Sequence, residues 1–516
     1  MLGDIFQNLG AGFANVFNIS TLLLMCAGIL LGIIAGAIPG LGSVLVMGIT
    51  LPLTYNMSAS NAILFLVAIF KGATMGGSFS SVLLNVPGTA SAAATAFDGF
   101  PLAAKGQSRK ALHASIFGSG LGDLLSDVVL IFGVATLARA ALKLGSPEKF
   151  LILLLALVLA AMLVGKNPFK GIISICLGLL LGTVGLDTTT GLPRLGVIPV
   201  LGKLEGLDST AILVGLLALS EIITGVASIR KDSLAGKTKK PMEILGEGLT
   251  MRDCRESSKA FFSGTIIGTL FGILPGLGSS AAAFASYAFN KLAYGGKTKS
   301  GVKFGEGAVP GVIACESANS AVSGANLIPL LTLGIPGDAA AALLLAAFMI
   351  HGIAPGPGIV TQQATIIYTI FAGFIVANFL NIALGLLVSR PIALVLRSKL
   401  SIVYPIVTII CLAGIYSING RMLDVGIFIA MGALGYLLKK CDIPLAPAAI
   451  GFILARNLEQ YFRQSMSVSQ GSLSIFWSST ACKVILGILV AFIVWMVITT
   501  IRNSRKAKKE AANANG

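Results

Sequence analysis

The chain has 516 residues, 55% apolar and 11% charged, with a mean hydropathy of +0.91 and a formal net charge of +16. Soluble domains carry roughly 25% charged residues, so a water-soluble body of this size is excluded and the composition is that of an integral membrane protein. Barrel strands are excluded too, because runs such as Phe150 to Leu163 and Ile485 to Ile498 are apolar at nearly every position instead of alternating.

The predicted fold class is therefore an all-α polytopic membrane bundle of about 10–12 transmembrane segments, at about 20 residues per crossing. In chain order, residues 1–19 form an N-terminal segment and residues 20–229 a first repeat. A basic loop follows over 230–259, then a second repeat over 260–470, a C-terminal transmembrane helix over 471–501 and a basic tail over 502–516. No Lys or Arg precedes Lys71, which argues against a cleaved basic leader and places the N-terminus outside. Positive residues cluster between apolar runs: Lys105, Arg109 and Lys110; eight from Arg230 to Lys259; Lys291, Lys297, Lys299 and Lys303; and the tail from Arg502 to Lys509. That placement follows the positive-inside bias, so the charge reports topology rather than nucleic-acid binding, and the C-terminus is expected in the cytoplasm.

The halves repeat. Gly32 to Ser43 reads GIIAGAIPGLGS and Gly268 to Ser279 reads GTLFGILPGLGS, identical at seven of twelve positions. Downstream, NVPGT at Asn85–Thr89 answers GIPGD at Gly334–Asp338, each ahead of an alanine-rich stretch. The first half follows a segment without positive charge and the second a strongly basic loop, so the two are expected to insert oppositely, as an inverted repeat. Proline removes a backbone donor and glycine admits unusual dihedrals, so Pro39, Gly40, Gly42 and Ser43, with Pro275, Gly276, Gly278, Ser279 and Ser280, are expected to open helices within the apolar layer. Such breaks lie buried in protein or line a polar cavity, and a helix starting there offers N–H groups to an anion. Phe261 to Asn290 covers 30 residues with basic residues on both flanks. Positive charge at both ends suggests a re-entrant hairpin with Pro275 to Ser279 at its tip, with a broken spanning helix as the alternative.

The second pair of breaks adds Lys71, Ser80, Asn85, Pro87, Gly88 and Thr89 in the first half, and Asn319 and Ser320 in the second, as candidate substrate-binding residues. Glu316, Asn326, Gly337 and Asp338 are the candidate coupling-ion residues, with sodium as a candidate metal. The bland alternative for an isolated serine is helix–helix glue; the clusters beside helix breaks favour a ligand. Asp98, Asp123, Asp127 and Glu221 also fall in or near apolar segments, where an ionisable residue marks function or a buried pair. Asp123 and Asp127 lie one turn apart, and pairing with a basic residue is as good a reading of them as an ion relay. With two histidines, seven scattered cysteines and no triad context, catalysis, disulfides and a redox cofactor are not expected. No P-loop GxxxxGK[ST] occurs, so nucleotide-driven work is not expected of this chain.

At these residues the sequence resembles the large membrane subunit (TctA-type) of tripartite tricarboxylate transporters. The paired PGLGS segments carry the likeness, with GGSFSSVLLNVPGTASAAATAFDGFPLAAKGQ from Gly76 and GEGAVPGVIACESANSAVSGANLIPLLTLGIPGDAAAALLLAAF from Gly305. The resemblance implies a bacterial inner-membrane uptake system that works with a small four-helix membrane subunit and a periplasmic solute-binding protein. That protein would deliver a di- or tricarboxylate such as citrate, driven by sodium or protons. The expected mechanism is alternating access of elevator type, with the two PGLGS tips and the polar clusters as one mobile unit, and a homo-oligomer is left open. A stand-alone carboxylate or small-anion carrier, or a channel, is the alternative.

Overall fold

The computed structural model describes residues 2–38, 41–163, 168–187, 192–194, 207–234, 243–392, 396 and 400–494. Most of them are helical, and the strands among them form one short antiparallel pair, Gly185–Leu186 with Pro193–Arg194. Helices Ile19–Ala37, Ala59–Leu84, Ala96–Leu142, Ser209–Ala227, Ala364–Val388 and Met422–Lys440 are long and apolar enough to cross a membrane. Shorter apolar helices accompany them. The protein is a multi-pass helical membrane protein.

The elements, in order, begin with α1 (Leu2–Val16), α2 (Ile19–Ala37), α3 (Gly42–Thr50), α4 (Ala59–Leu84), α5 (Ala96–Leu102) and α6 (Ser108–Leu142). Next come α7 (Ser146–Leu163), α8 (Pro168–Gly182), α9 (Ser209–Leu213), α10 (Ser220–Leu234), α11 (Met251–Ile273) and α12 (Gly278–Ala293). The chain continues with α13 (Val309–Ala325), α14 (Leu327–Leu333), α15 (Ala339–Ile350), α16 (Ile359–Gln362) and α17 (Ala364–Val388). It closes with α18 (Leu400–Asn419), α19 (Met422–Lys440), α20 (Leu445–Val468) and α21 (Thr480–Val494). Two compact units result: residues 1–139 with 208–436, and residues 140–207 with 437–516.

Small residues set the packing of the first unit. On α2, Gly28, Gly32 and Gly36 face the carbonyls of Phe65, Ile69 and Ala73 on α4; on α11, Gly264, Gly268 and Gly272 face those of Ala314, Ala318 and Val322 on α13. The glycines correspond at an offset of 236 (264 − 28) and their partners at 249 (314 − 65), so each half builds the same close helix pair. Backbones approach this closely only where no Cβ intervenes. The repeat extends to the caps: Asn85, ending α4, and Gly334, ending α14, both take left-handed backbone (φ 53° and 69°) at the same offset of 249. Packing between the halves is reciprocal. Helix α3 lies against α15, α12 against residues 91–93, and α17 against α4, while Gly118 and Gly122 of α6 meet α13.

In the second unit, Gly171 of α8 lies on the Ala161 carbonyl of α7, and Gly178 and Gly182 lie on the Ala448 and Phe452 carbonyls of α20. Arg194 pairs with Asp187 (2.9 Å) and Glu459 (2.8 Å), fixing the end of the short strand pair to α20.

Candidate transport site

The second-half corner is a helical hairpin. Ser263 on α11 donates to Asn290 Oδ1 on α12 (2.9 Å), and the Tyr294 hydroxyl donates to the Glu256 carbonyl (2.7 Å), so the chain folds back about Pro275–Leu277. A broken helix running straight through would hold those residues far apart. Gly276 and Gly278 have φ of 89° and 66°, a region that penalises any side chain. Helix α12 starts at Gly278 without a side-chain cap, leaving its first N–H groups to other partners, and Ser279 and Ser280 are half-buried there. Gly276 donates its N–H to the Gly337 carbonyl (2.8 Å), which joins the hairpin tip to the second corner of the same half.

That second corner is dense in polar groups. Gly337 is seated against the Asn326 carboxamide, leaving no room for a Cβ, and Asp338 caps α15 by accepting from the Ala341 N–H (2.9 Å). Among the described residues the Asn326 Oδ1 atom is buried without a hydrogen-bond partner, and the buried Asn319 amide lies beside the Glu316 carboxyl. An unpaired buried polar group costs about 1–3 kcal/mol, so the end of α13 presents an amide oxygen that a ligand would satisfy.

In the first half, Pro39 and Gly40 lie outside the described residues. The following α3 starts uncapped at Gly42 (φ 57°), with Ser43 half-buried. Gly88 is buried and donates to the Gly77 carbonyl (3.2 Å), while Asn85 and Pro87 are exposed. Thr89 bonds with Ser91, and buried Ser80 donates to the Gly77 carbonyl (3.2 Å).

Between the halves runs a polar seam. Glu316, Asn319 and Ser323 on α13, with Asn326 capping its end, recur at spacings of three and four, one face of the helix. Facing them, Ser119 of α6 donates to Glu316 Oε2 (2.7 Å) and Thr95 donates to Glu316 Oε1. Ser323 donates to Asp123 Oδ1 (2.6 Å), and Ser126 to the Ala321 carbonyl (2.5 Å). Ser320 is buried on the same helix. Lys71 of α4 donates to Asp123 and Asp127 (2.7 Å each) and to Asn378 of α17 (3.1 Å), and all four side chains are buried. Asp98 does a different job: its Oδ1 accepts from the N–H groups of Gly305, Gly307 and Ala308 (2.8, 2.9 and 2.7 Å), fastening α5 to the loop before α13.

Thr95, Ser119 and Asn378 were missed by reading the sequence. A polar residue repeating at helical spacing opposite an acidic one would have pointed to Ser119, and the isolated Asn378 and Asn381 within the apolar run 364–388 to α17.

The comparisons with known proteins agree with this architecture. The family model for the tripartite tricarboxylate transporter TctA family matches residues 22–450. An uncharacterized 52.8 kDa protein in the TAR-I ttuC' 3' region of Agrobacterium vitis is 33% identical over 502 residues, covering 97% of this chain and 98% of that protein. An uncharacterized protein in the TAR-II ttuC' 3' region of the same organism is 35% identical over 238 residues, 46% of this chain and 97% of that protein. No solved structure matches. The chain belongs to the tripartite tricarboxylate transporter TctA family.

Proposed function

We propose that this chain is the membrane pore of an ion-gradient-driven secondary transporter importing a di- or tricarboxylate of the citrate class. The observation that carries the reading is the meeting of Gly276 with Gly337 at the uncapped start of α12, beside the unpaired amide oxygen of Asn326. Helix starts and amide N–H groups suit a carboxylate, and carbonyl and amide oxygens suit its companion cation. Substrate binds at the PGLGS corners and the flanking serines, and the cation near Glu316, Asn326, Gly337 and Asp338. Binding of each strengthens the other by a coupling of about 1–3 kcal/mol.

The two halves insert oppositely, and the corners move together as an elevator relative to a fixed scaffold. The chain sits in the bacterial inner membrane with its N-terminus outside and its C-terminus cytoplasmic. It works with a small four-helix membrane subunit and a periplasmic solute-binding protein, and performs no catalysis of its own.

Counterflow in proteoliposomes tests this, using a panel of di- and tricarboxylates at varied sodium and pH. The chain is compared alone and with its two partner components. Saturable, gradient-dependent accumulation requiring all three components is expected. Uptake by the chain alone would make it a stand-alone carrier, and unsaturable current a channel.

A further inference from the structure

The buried Lys71 cluster holds two carboxylates and one ammonium. Asp123 is fully engaged, its Oδ2 by Lys71 and its Oδ1 by Ser323. Asp127 Oδ2 accepts from Lys71 and from Asn378 Nδ2 (2.6 Å). Among the described residues Asp127 Oδ1 has no hydrogen-bond partner, although the side chain is fully buried and the atom lies against the Gly324 backbone of α13. The titratable and charged groups facing Asp127 among the described residues are Lys71 from α4 and Asp123 from its own helix; Glu316 of α13 is held elsewhere, by Thr95 and Ser119. Helix α17 contributes Asn378, and α14 carries no ionisable residue.

With both carboxylates ionised, one negative charge is left over in the interior, a state that is costly enough for a group to neutralise instead. A metal cation here would be opposed by the Lys71 ammonium, which already bonds both carboxylates, and Asp127 Oδ1 is the one carboxylate oxygen of the pair left open among the described residues. One free oxygen accepts one proton.

We propose that Asp127 is a proton-carrying site, taking up one proton on Oδ1 and releasing it as Lys71 shifts its bonds between Asp123 and Asp127. The cluster joins α4 and α6 of the first half to α13 and α17 of the second, so its charge state is felt by both halves. As the entry point of a driving proton it rests on the transport reading above; as a proton site it does not.

Two measurements separate those claims. In the reconstituted three-component system, Asp127→Asn, which mimics the protonated carboxyl, should retain counterflow while losing the stimulation by an inward proton gradient, on the order of tenfold in the unaltered chain. Infrared spectra of the unaltered chain in lipid, with aspartate carbon-13 labelled, should show a protonated-carboxyl stretch that Asp127→Asn removes. If that variant fails to insert, Asp127→Glu should move the band from the aspartate label to a glutamate label. Absence of any protonated aspartate band, or full proton-gradient stimulation in Asp127→Asn, overturns the proposal. A protonated Asp127 in a chain that transports nothing would overturn the transport reading and leave the proton site standing.

Discussion

Gly276 donates its backbone N–H to the carbonyl of Gly337, 61 residues on in the chain (337 − 276), at 2.8 Å. Two helix breaks that the sequence separates by an entire helical hairpin are thus one structural point. Gly276 has φ of 89°, which costs a residue with a Cβ roughly 1–2 kcal/mol and a β-branched one more. Gly276→Val is expected to insert normally and to lose at least about tenfold in uptake, each 1.4 kcal/mol of distortion at the site being worth that factor. Transport at the unaltered rate would detach the corner from the site.

The paired glycine stripes make a second prediction. A methyl at Gly32 collides with the Ile69 carbonyl, and one at Gly268 with the Ala318 carbonyl. Because both collisions are with backbone, Gly32→Ala and Gly268→Ala should each destabilise by about 1–3 kcal/mol. Both should lower the thermal midpoint of the purified protein in detergent. Equal sensitivity at the two positions follows from the repeat, and indifference at either would contradict it.

Asp338 is an N-cap as well as a candidate ion ligand. Asparagine caps a helix as well as aspartate does, so Asp338→Asn should leave the thermal midpoint nearly unchanged while weakening the sodium or proton dependence of uptake. An unchanged ion dependence would assign Asp338 to capping alone.

At the start of α11, Asp253 sits in a capping box with Thr250 and pairs with Lys110 (3.1 Å). Burial alone would raise its carboxyl, but the Thr250 hydroxyl and N–H, with the Lys110 ammonium, hold it below the ordinary carboxylate value. A depressed native pKa contributes stability above the unfolded value and loses it as pH falls through the native one. Asp253→Asn should therefore cost about 1 kcal/mol at neutral pH, and the gap to the unaltered chain should close below a pH of about 4. A gap that stays constant with pH would remove the ionic contribution.

Much of this architecture could be read in advance because it is local or repeated. The PGLGS pair gave away the doubling, since seven shared positions at one offset reflect one backbone built twice. The charges flanking Phe261 to Asn290 suggest a hairpin with a broken helix as the alternative, and the Ser263–Asn290 bond decides for the hairpin. What could not be read was pairing between elements far apart in the chain. Nothing in the periodicity of α4 says that Lys71 meets Asp123 and Asp127, or that Asp98 reaches the Gly305–Ala308 backbone, because those contacts depend on how α6 and α13 pack. Lys71, expected to face substrate, has its charge met by two carboxylates within the fold. Pro39 and Gly40 fall outside the described residues, so the first corner is seen from Leu41 onward.

Substrate protection of an introduced cysteine reports whether the two PGLGS corners receive the transported acid. In a chain with its exposed Cys176, Cys254 and Cys441 replaced, Ser43→Cys and Ser279→Cys are labelled by a small thiol reagent with and without carboxylate and coupling ion. A transported carboxylate is expected to slow labelling at both positions, and the coupling ion to deepen the effect. Labelling at both positions that ignores every carboxylate, in a chain that still performs counterflow, would contradict that assignment of the corners.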